Sequence, residues 1–323
     1  MNSVSASRDV RKILIFGAGV LGSLYAARLK QAGLNVTLLA RNTRLKDIQQ
    51  HGVVIEHALT GKREVVAIPT VEHLYEHDFY DLIVVLVRKN QLPSVLPVLA
   101  AHKATPNILF MVNNPSGYID WVNAIGRERL VLGFAGVGGT LLGNVVRYVV
   151  VSRFLQPTTF GELDGSNSTR LKRISRIFQR AGFPTAVTSN MDAWQKTHVA
   201  WISPIANALY RVGCDNHLLA RSTDVTRLAV RAVREGFCVL HSLGIPITPA
   251  KFRVLKWMPE ILWVRLLTLW ADTNHFKTAA VEHTAAAADE MRLIAEEFRV
   301  IVLSTAIATP AIDELRRSIP ATV

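Results

Sequence analysis

The sequence predicts an α/β chain in two parts, an N-terminal domain built on a parallel sheet (residues 1–188) and an all-helical C-terminal domain (residues 189–323). Three observations carry this. Short apolar runs alternate with amphipathic segments through the first half. Glycines cluster where the first run gives way to the first helix. Beyond Ser168 the texture turns helical. The length, 323 residues, suits two domains, and a composition that is 50% hydrophobic and 19% charged excludes a disordered chain.

The first strand is Ile13–Phe16, and it runs into Gly17-Ala18-Gly19-Val20-Leu21-Gly22. Ser23 to Ala32 reads as a helix stopped by Gly33, and Val36–Ala40 as the next strand. Strand, glycine loop, helix and strand within about thirty residues is the context that a G-x-G-x-x-G fingerprint needs to mean dinucleotide binding. Gly17 makes the tight turn, Gly19 admits a pyrophosphate to the backbone, and Gly22 lets helix and strand pack. This makes the N-terminal domain Rossmann-type. Further strands fall at Leu82–Val87, Ile108–Val112 and Leu130–Phe134, continuous apolar runs as expected when a parallel sheet is covered on both faces. Val145 to Leu163 holds strand pieces, and Leu171–Ala181, Met191–Val212, Thr223–Leu243 and Thr278–Phe298 are helical. A cleft between the two domains is the expected ligand site.

Readers of NAD usually place an acid at the end of the second strand to hold the ribose 2′-OH. Here the residues are Ala40-Arg41-Asn42-Thr43-Arg44, with no acid before Asp47, and Arg41 offers its planar fork to a 2′-phosphate. NADP is therefore the expected cofactor.

The pieces taken together resemble the ketopantoate reductase family, two-domain NADPH-dependent reductases of 2-keto acids. The resemblance runs through GAGVLG, Arg41, LIVVLV followed by Arg88-Lys89-Asn90-Gln91, Asn113-Asn114 and FGELDG. It continues through Ala181-Gly182-Phe183-Pro184, Trp194-Gln195-Lys196, Arg234-Glu235-Gly236 and Leu243-Gly244-Ile245-Pro246. It implies that Gly17, Ala18, Gly19, Val20, Leu21, Gly22, Arg41, Arg88 and Asn114 bind cofactor, with Asn114 near nicotinamide and substrate alike. It further implies that Lys196 of the W-x-K motif is the general acid. An ammonium there stabilises the growing oxyanion and donates the proton. Glu282, in Val281-Glu282-His283, is the matching substrate-binding and catalytic carboxylate.

The chain departs from the family pattern in several places. Arg88 stands where the family has Lys, and Pro115 replaces the Gly of a Q-N-G turn. Ala200 stands where the first substrate-holding Asn belongs. Ser203-Pro204 resembles the N-P step but arrives one residue early, which makes Ser203 a substituted substrate contact. These losses point to a carbonyl substrate other than ketopantoate. They also leave open a second function, an NADP-binding sensor or scaffold without catalysis.

The net charge is +12, but the basic residues are spread along the chain, and the cluster Arg170, Lys172, Arg173, Arg176 and Arg180 reads as a solvated helix face, so no nucleic-acid partner is expected. No apolar run approaches a membrane span. Two cysteines, Cys214 and Cys238, exclude a disulfide framework or zinc ribbon, and the polar Met1–Lys12 carries no secretory hydrophobic stretch, so the expected location is the cytoplasm. His73 and His77 stand at i, i+4 without a third ligand, and no metal is expected. Trp257, Trp263 and Trp270 recur at helical spacing and read as core, with a homodimer face or an apolar pocket wall as alternatives.

Overall fold

A computed structural model describes residues 10–320. The polar N-terminal segment read above lies, up to residue 9, outside the described residues. The chain runs β1 (Lys12–Phe16), α1 (Val20–Gln31), β2 (Asn35–Leu39), α2 (Asn42–His51), β3 (Val53–His57), β4 (Arg63–Val66), β5 (Thr70–Val71) and β6 (Leu82–Val85). A 3-10 turn at Lys89–Gln91 leads into α3 (Leu92–Ala101), β7 (Ile108–Phe110), α4 (Ile119–Ile125), β8 (Leu130–Phe134), β9 (Val137–Leu142), β10 (Val145–Val150), β11 (Thr158–Gly161), α5 (Thr169–Arg180) and β12 (Thr185–Val187). Helices follow: α6 (Met191–Arg211), α7 (Asn216–Arg221), α8 (Thr223–Ser242), α9 (Glu260–Ala271), α10 (Asn274–Phe276), α11 (Glu282–Ala286), α12 (Ala288–Leu303) and α13 (Pro310–Arg316).

Eight strands form the main sheet in the order β12-β11-β8-β7-β6-β1-β2-β5. All its pairings are parallel except β11 with β8, so the fold is mixed α/β with a parallel-rich sheet and a helical C-terminal region. The apolar runs behave as their composition demands. Ile13–Ile15, Leu82–Val85 and Ile108–Phe110 are fully buried, because helices cover both faces of the sheet. A second sheet of four strands, β4-β3-β10-β9, was not resolved from sequence. It packs on α1, where Tyr148 of β10 accepts a hydrogen bond from Arg28 at 2.5 Å.

The helical region has its own core, around Val199, Val230, Val233, Leu240, Leu267 and Phe276. Helix α6 crosses α8 closely, and Gly236 makes this possible: a Cβ there would lie 3.2 Å from the Cβ of Ala200. Among the described residues no helix is long and apolar enough to cross a membrane. His73 and His77 fall in an irregular stretch rather than on a helix, and the His77 ring stacks on Tyr75 at 5.6 Å.

Candidate active site

The carboxyl ends of β1, β2, β6, β7 and β8 open onto one cavity of about 1060 Å³, and α6, α9 and the Lys277–Met291 segment close it from the other side. Loops far apart in sequence converge because ligands of an open parallel sheet sit beyond its carboxyl edge.

The glycine loop behaves as its spacing predicts. Gly17 has a left-handed φ of +115°, and a Cβ there would stand 2.5 Å from the Leu86 carbonyl oxygen. A Cβ on Gly22 would fall 1.8 Å from the Gly17 oxygen. A Cβ on Gly19 would meet nothing within 4 Å; its space belongs to the cavity. Gly19 is also the N-cap of α1, and no side chain caps that helix start. The first-turn N–H groups and the helix dipole thus face the cavity as an anion site. At the end of β2, Arg41 lines the cavity and is exposed. Arg44 also lines it, donating to the Ala18 carbonyl at 3.2 Å and to Ser23 Oγ at 3.0 Å, and pairing with Asp47 at 2.6 Å. No carboxylate from β2 reaches into the cavity, and the residues fit a dinucleotide.

Two adjacent Asn divide their work. Asn114 is fully buried and fully engaged. Its N–H donates to Gln195 Oε1 at 2.8 Å, its Nδ2 to the Gly117 carbonyl at 2.6 Å, and its Oδ1 accepts from Lys89 Nζ at 2.5 Å and Ser116 Oγ at 2.9 Å. Asn114 stands outside the cavity lining, its polar atoms taken by these neighbours. Asn113 is the one that lines the cavity, and its Oδ1 is buried with no partner. Such an orphaned acceptor fits an amide or hydroxyl donor on a bound molecule.

Arg88 lines the cavity, held by Asp289 at 3.2 Å and by the Ala286 carbonyl at 2.7 Å. Its neighbour Lys89 turns inward. It meets Asn114 and, at 3.4 Å, Glu297, tying the 3-10 turn to α12; burial pushes its pKa down despite Glu297.

The structure places Lys196 and Ser203 outside the cavity lining. From α6, the cavity is lined by His198, Trp201, Ile202, Ile205 and Ala206. At 3.6 residues per turn, positions 196, 200 and 203 fall on the opposite side of that helix. Lys196 pairs with Asp192 one turn back, and Ser203 is buried outside the cavity lining. Ala200 shows why: its face packs on Gly236 of α8, where an Asn side chain has no room. Glu282 also stands outside the lining. One of its oxygens is buried without a partner, and burial raises its pKa although Arg147 and Lys277 pull the other way.

His283, the next residue, lines the cavity instead, with its side chain 41% exposed. Its Nε2 lies 4.0 Å from Oε2 of Glu290, whose other oxygen accepts from the Lys89 N–H at 3.1 Å. Burial lowers the His283 pKa, Glu290 opposes that shift, and Arg88 adds to it. His198 stacks on Trp194 at 5.3 Å and 10° and packs on Phe134 at 4.2 Å. Burial, with His283 nearby, pushes its pKa down to about 3, so it stays neutral. Of these two cavity histidines, His283 is the one with a carboxylate, Glu290, beside it to favour the protonated ring. Sequence reasoning did not choose His283, Glu290 or Asn113; His283 and Asn113 each adjoin a residue it chose, which was the signal available, whereas Glu290 carried none.

Residues 13–165 match the family described as ketopantoate reductase PanE/ApbA. The chain is 26% identical over 244 residues to a 2-dehydropantoate 2-reductase of Pyrococcus horikoshii, covering 72% of this chain and 75% of that one. Its fold is similar to a solved 2-dehydropantoate 2-reductase of Geobacter metallireducens (TM-score 0.75, 15% identity, 95% of this chain and 98% of that one). It is likewise similar to D-mandelate dehydrogenase solved with NADH and anilino(oxo)acetate (TM-score 0.76, 17% identity, 95% and 96%).

Proposed function

Residues 13–165 form a ketopantoate reductase family domain, and from that premise we propose that the protein is an NADPH-dependent reductase of a 2-keto acid or related carbonyl compound. One observation carries the reading. The glycine loop, Arg41, the orphaned Asn113 oxygen, Arg88 and the His283–Glu290 pair all line a single cavity. The relatives' activities and the nicotinamide cofactor of the D-mandelate dehydrogenase support the reaction class.

Gly17, Gly19 and Gly22 seat the pyrophosphate, and Arg41 takes the 2′-phosphate. When bound, NADPH would supply the hydride to the keto carbon. Arg88, anchored by Asp289 and the Ala286 carbonyl, holds the substrate carboxylate as a bidentate partner. Asn113 accepts from the carboxamide or the hydroxyl. His283 Nε2 gives its proton to the oxygen as negative charge grows there, and Glu290 favours the protonated imidazole. In the reverse direction neutral His283 takes that proton back. Lys196, on the far side of α6, has no part in these steps.

The test measures oxidation of NADPH and of NADH by a panel of 2-keto acids. The reading expects turnover with NADPH preferred, and loss of that preference in Arg41→Ala. A second reading, a cofactor-binding sensor without catalysis, draws on the placement of Lys196 outside the cavity. It expects NADPH binding with no turnover of any keto acid.

A further inference from the structure

We propose that Gln195, the middle residue of Trp194-Gln195-Lys196, is a positioning residue that aims Asn113 at the nicotinamide half of the cofactor; the part given to Asn113 rests on the reductase reading above. Gln195 is 1% exposed, and its amide grips the chain on both sides of Asn113. Its Oε1 accepts from the Asn114 N–H at 2.8 Å, and its Nε2 donates to the Val112 carbonyl at 3.0 Å. A longer bond runs from Nε2 to the Gly133 carbonyl of β8 at 3.4 Å. The carbonyl before a residue and the N–H after it belong to the two peptide planes that bracket its Cα. Holding both planes fixes φ and ψ at Asn113, and with them the direction of its Cα–Cβ bond.

The clamp is itself held in place. The Asn190 side chain caps the start of α6, accepting from the Ala193 N–H at 2.8 Å. Met191 and Trp194 are buried in the same core as β7 and β8, and the Trp194 ring packs on Phe134 at 4.8 Å. The Gln195 amide therefore stands at a fixed point beside the end of β7. The grip needs one donor and one acceptor on the same tip, which an amide has, an ionised carboxylate lacks by its donor, and a thioether all but lacks. The sheet order shows what the aim serves. The glycine loop follows β1 and Arg41 follows β2, so a dinucleotide held by both has its other half left for β6 and β7 on the far side of β1. Asn113 lies beyond the end of β7, and its orphaned Oδ1 is an acceptor for the N–H of the nicotinamide carboxamide. An error of about 1 Å in such a contact can cost on the order of 10²-fold. The motif thus serves the site through Gln195, while Lys196 pairs with Asp192 outside the lining.

The experiment titrates the full chain with NADPH and with adenosine 2′,5′-bisphosphate, which lacks the nicotinamide half. Gln195→Met, apolar and of similar length, should weaken NADPH at least tenfold and leave the bisphosphate within twofold. In an Asn113→Ala background the same change should weaken NADPH less than twofold further, because the residue it acts through is already gone. An NADPH affinity within twofold of the parent overturns the proposal, as does the full tenfold loss in the Asn113→Ala background. If Gln195→Met loses the bisphosphate as well, Gln195→Glu decides, read as the affinity for NADP relative to that for the bisphosphate. Its carboxyl donates and accepts like the amide when protonated, and loses the donor when ionised. That ratio should lie at least tenfold below the parent's at about pH 9 and within threefold of it at about pH 5.5, since burial raises the pKa of a carboxyl. A ratio that is the same at both overturns the proposal. None of these measurements needs turnover, so failure of the reductase reading shows separately, as cofactor binding without oxidation of NADPH by any keto acid.

Discussion

Lys196 closes an ion pair with Asp192 one turn back along α6, on the side of the helix turned away from the cavity. An i, i+4 pair of this kind is worth only about 0.3–0.5 kcal/mol. Lys196→Ala should therefore keep kcat within about twofold of the parent and barely change stability. Steady-state kinetics with any accepted keto acid checks this, and a hundredfold loss would restore Lys196 to the chemistry.

His283 and Glu290 make a pH prediction. The His283 pKa lies below its ordinary 6.5 because burial and Arg88 outweigh Glu290. Reduction needs the protonated ring, so its rate should fall as pH rises through that lowered pKa. Oxidation of the hydroxy acid needs the neutral ring, so its rate should rise over the same window and level off near neutrality. His283→Gln should cost roughly 10²–10⁴-fold in kcat and abolish both limbs. Glu290→Gln should move both limbs to lower pH, because the group that favours the charged ring is gone. Paired pH–rate profiles are the measurement.

The glycine loop separates fold from binding. At Gly19 a methyl group meets nothing of the protein, so Gly19→Ala should keep its melting temperature and lose at least tenfold in NADPH affinity. At Gly22 a methyl group would collide with the Gly17 carbonyl, so Gly22→Ala should lose affinity and also roughly 1–3 kcal/mol of stability. Thermal melts with cofactor titrations distinguish the two.

Glu282 predicts a stability effect of defined sign. Its folded pKa is raised above the ordinary 4.5 by burial, so the folded protein resists ionisation that the unfolded chain accepts. Its contribution is intact below 4.5 and declines as pH rises through the folded pKa. Glu282→Gln should be more stable than the parent near neutral pH, and the difference should vanish under acid. Urea midpoints at the two conditions check it.

The parts legible in the sequence are those set by local sterics. Gly17 and Gly22 are required by backbone contacts within one loop and its neighbouring strand, so spacing alone identified them. Arg41 and Arg88 follow strand ends, and strand ends converge whatever the tertiary detail. The parts that were not legible depend on which of two neighbours turns inward. Asn114 was chosen over Asn113, and Glu282 over His283, because composition cannot say which side chain the surrounding packing claims. Asn114 is claimed by Lys89, Gln195 and Gly117, which leaves Asn113 to the cavity. Lys196 was chosen because a motif matched, but the rotation of α6 is set by Ala200 against Gly236, some forty residues on in the chain. Trp263 and Trp270 repeat at helical spacing whether they fill a core or wall a pocket, and only the position of Trp201 separates the two.

The central claim is hydride transfer from a nicotinamide in this cavity to a keto carbon. Incubating the protein with stereospecifically C4-deuterated NADPH and a panel of 2-keto acids, then reading the product by mass spectrometry, tests it most directly. The account predicts a hydroxy acid carrying one deuterium on the former keto carbon with one of the two C4 epimers, and none when Arg88 is replaced by Ala. A protein that binds NADPH tightly yet yields no deuterated hydroxy acid from any 2-keto acid would contradict it.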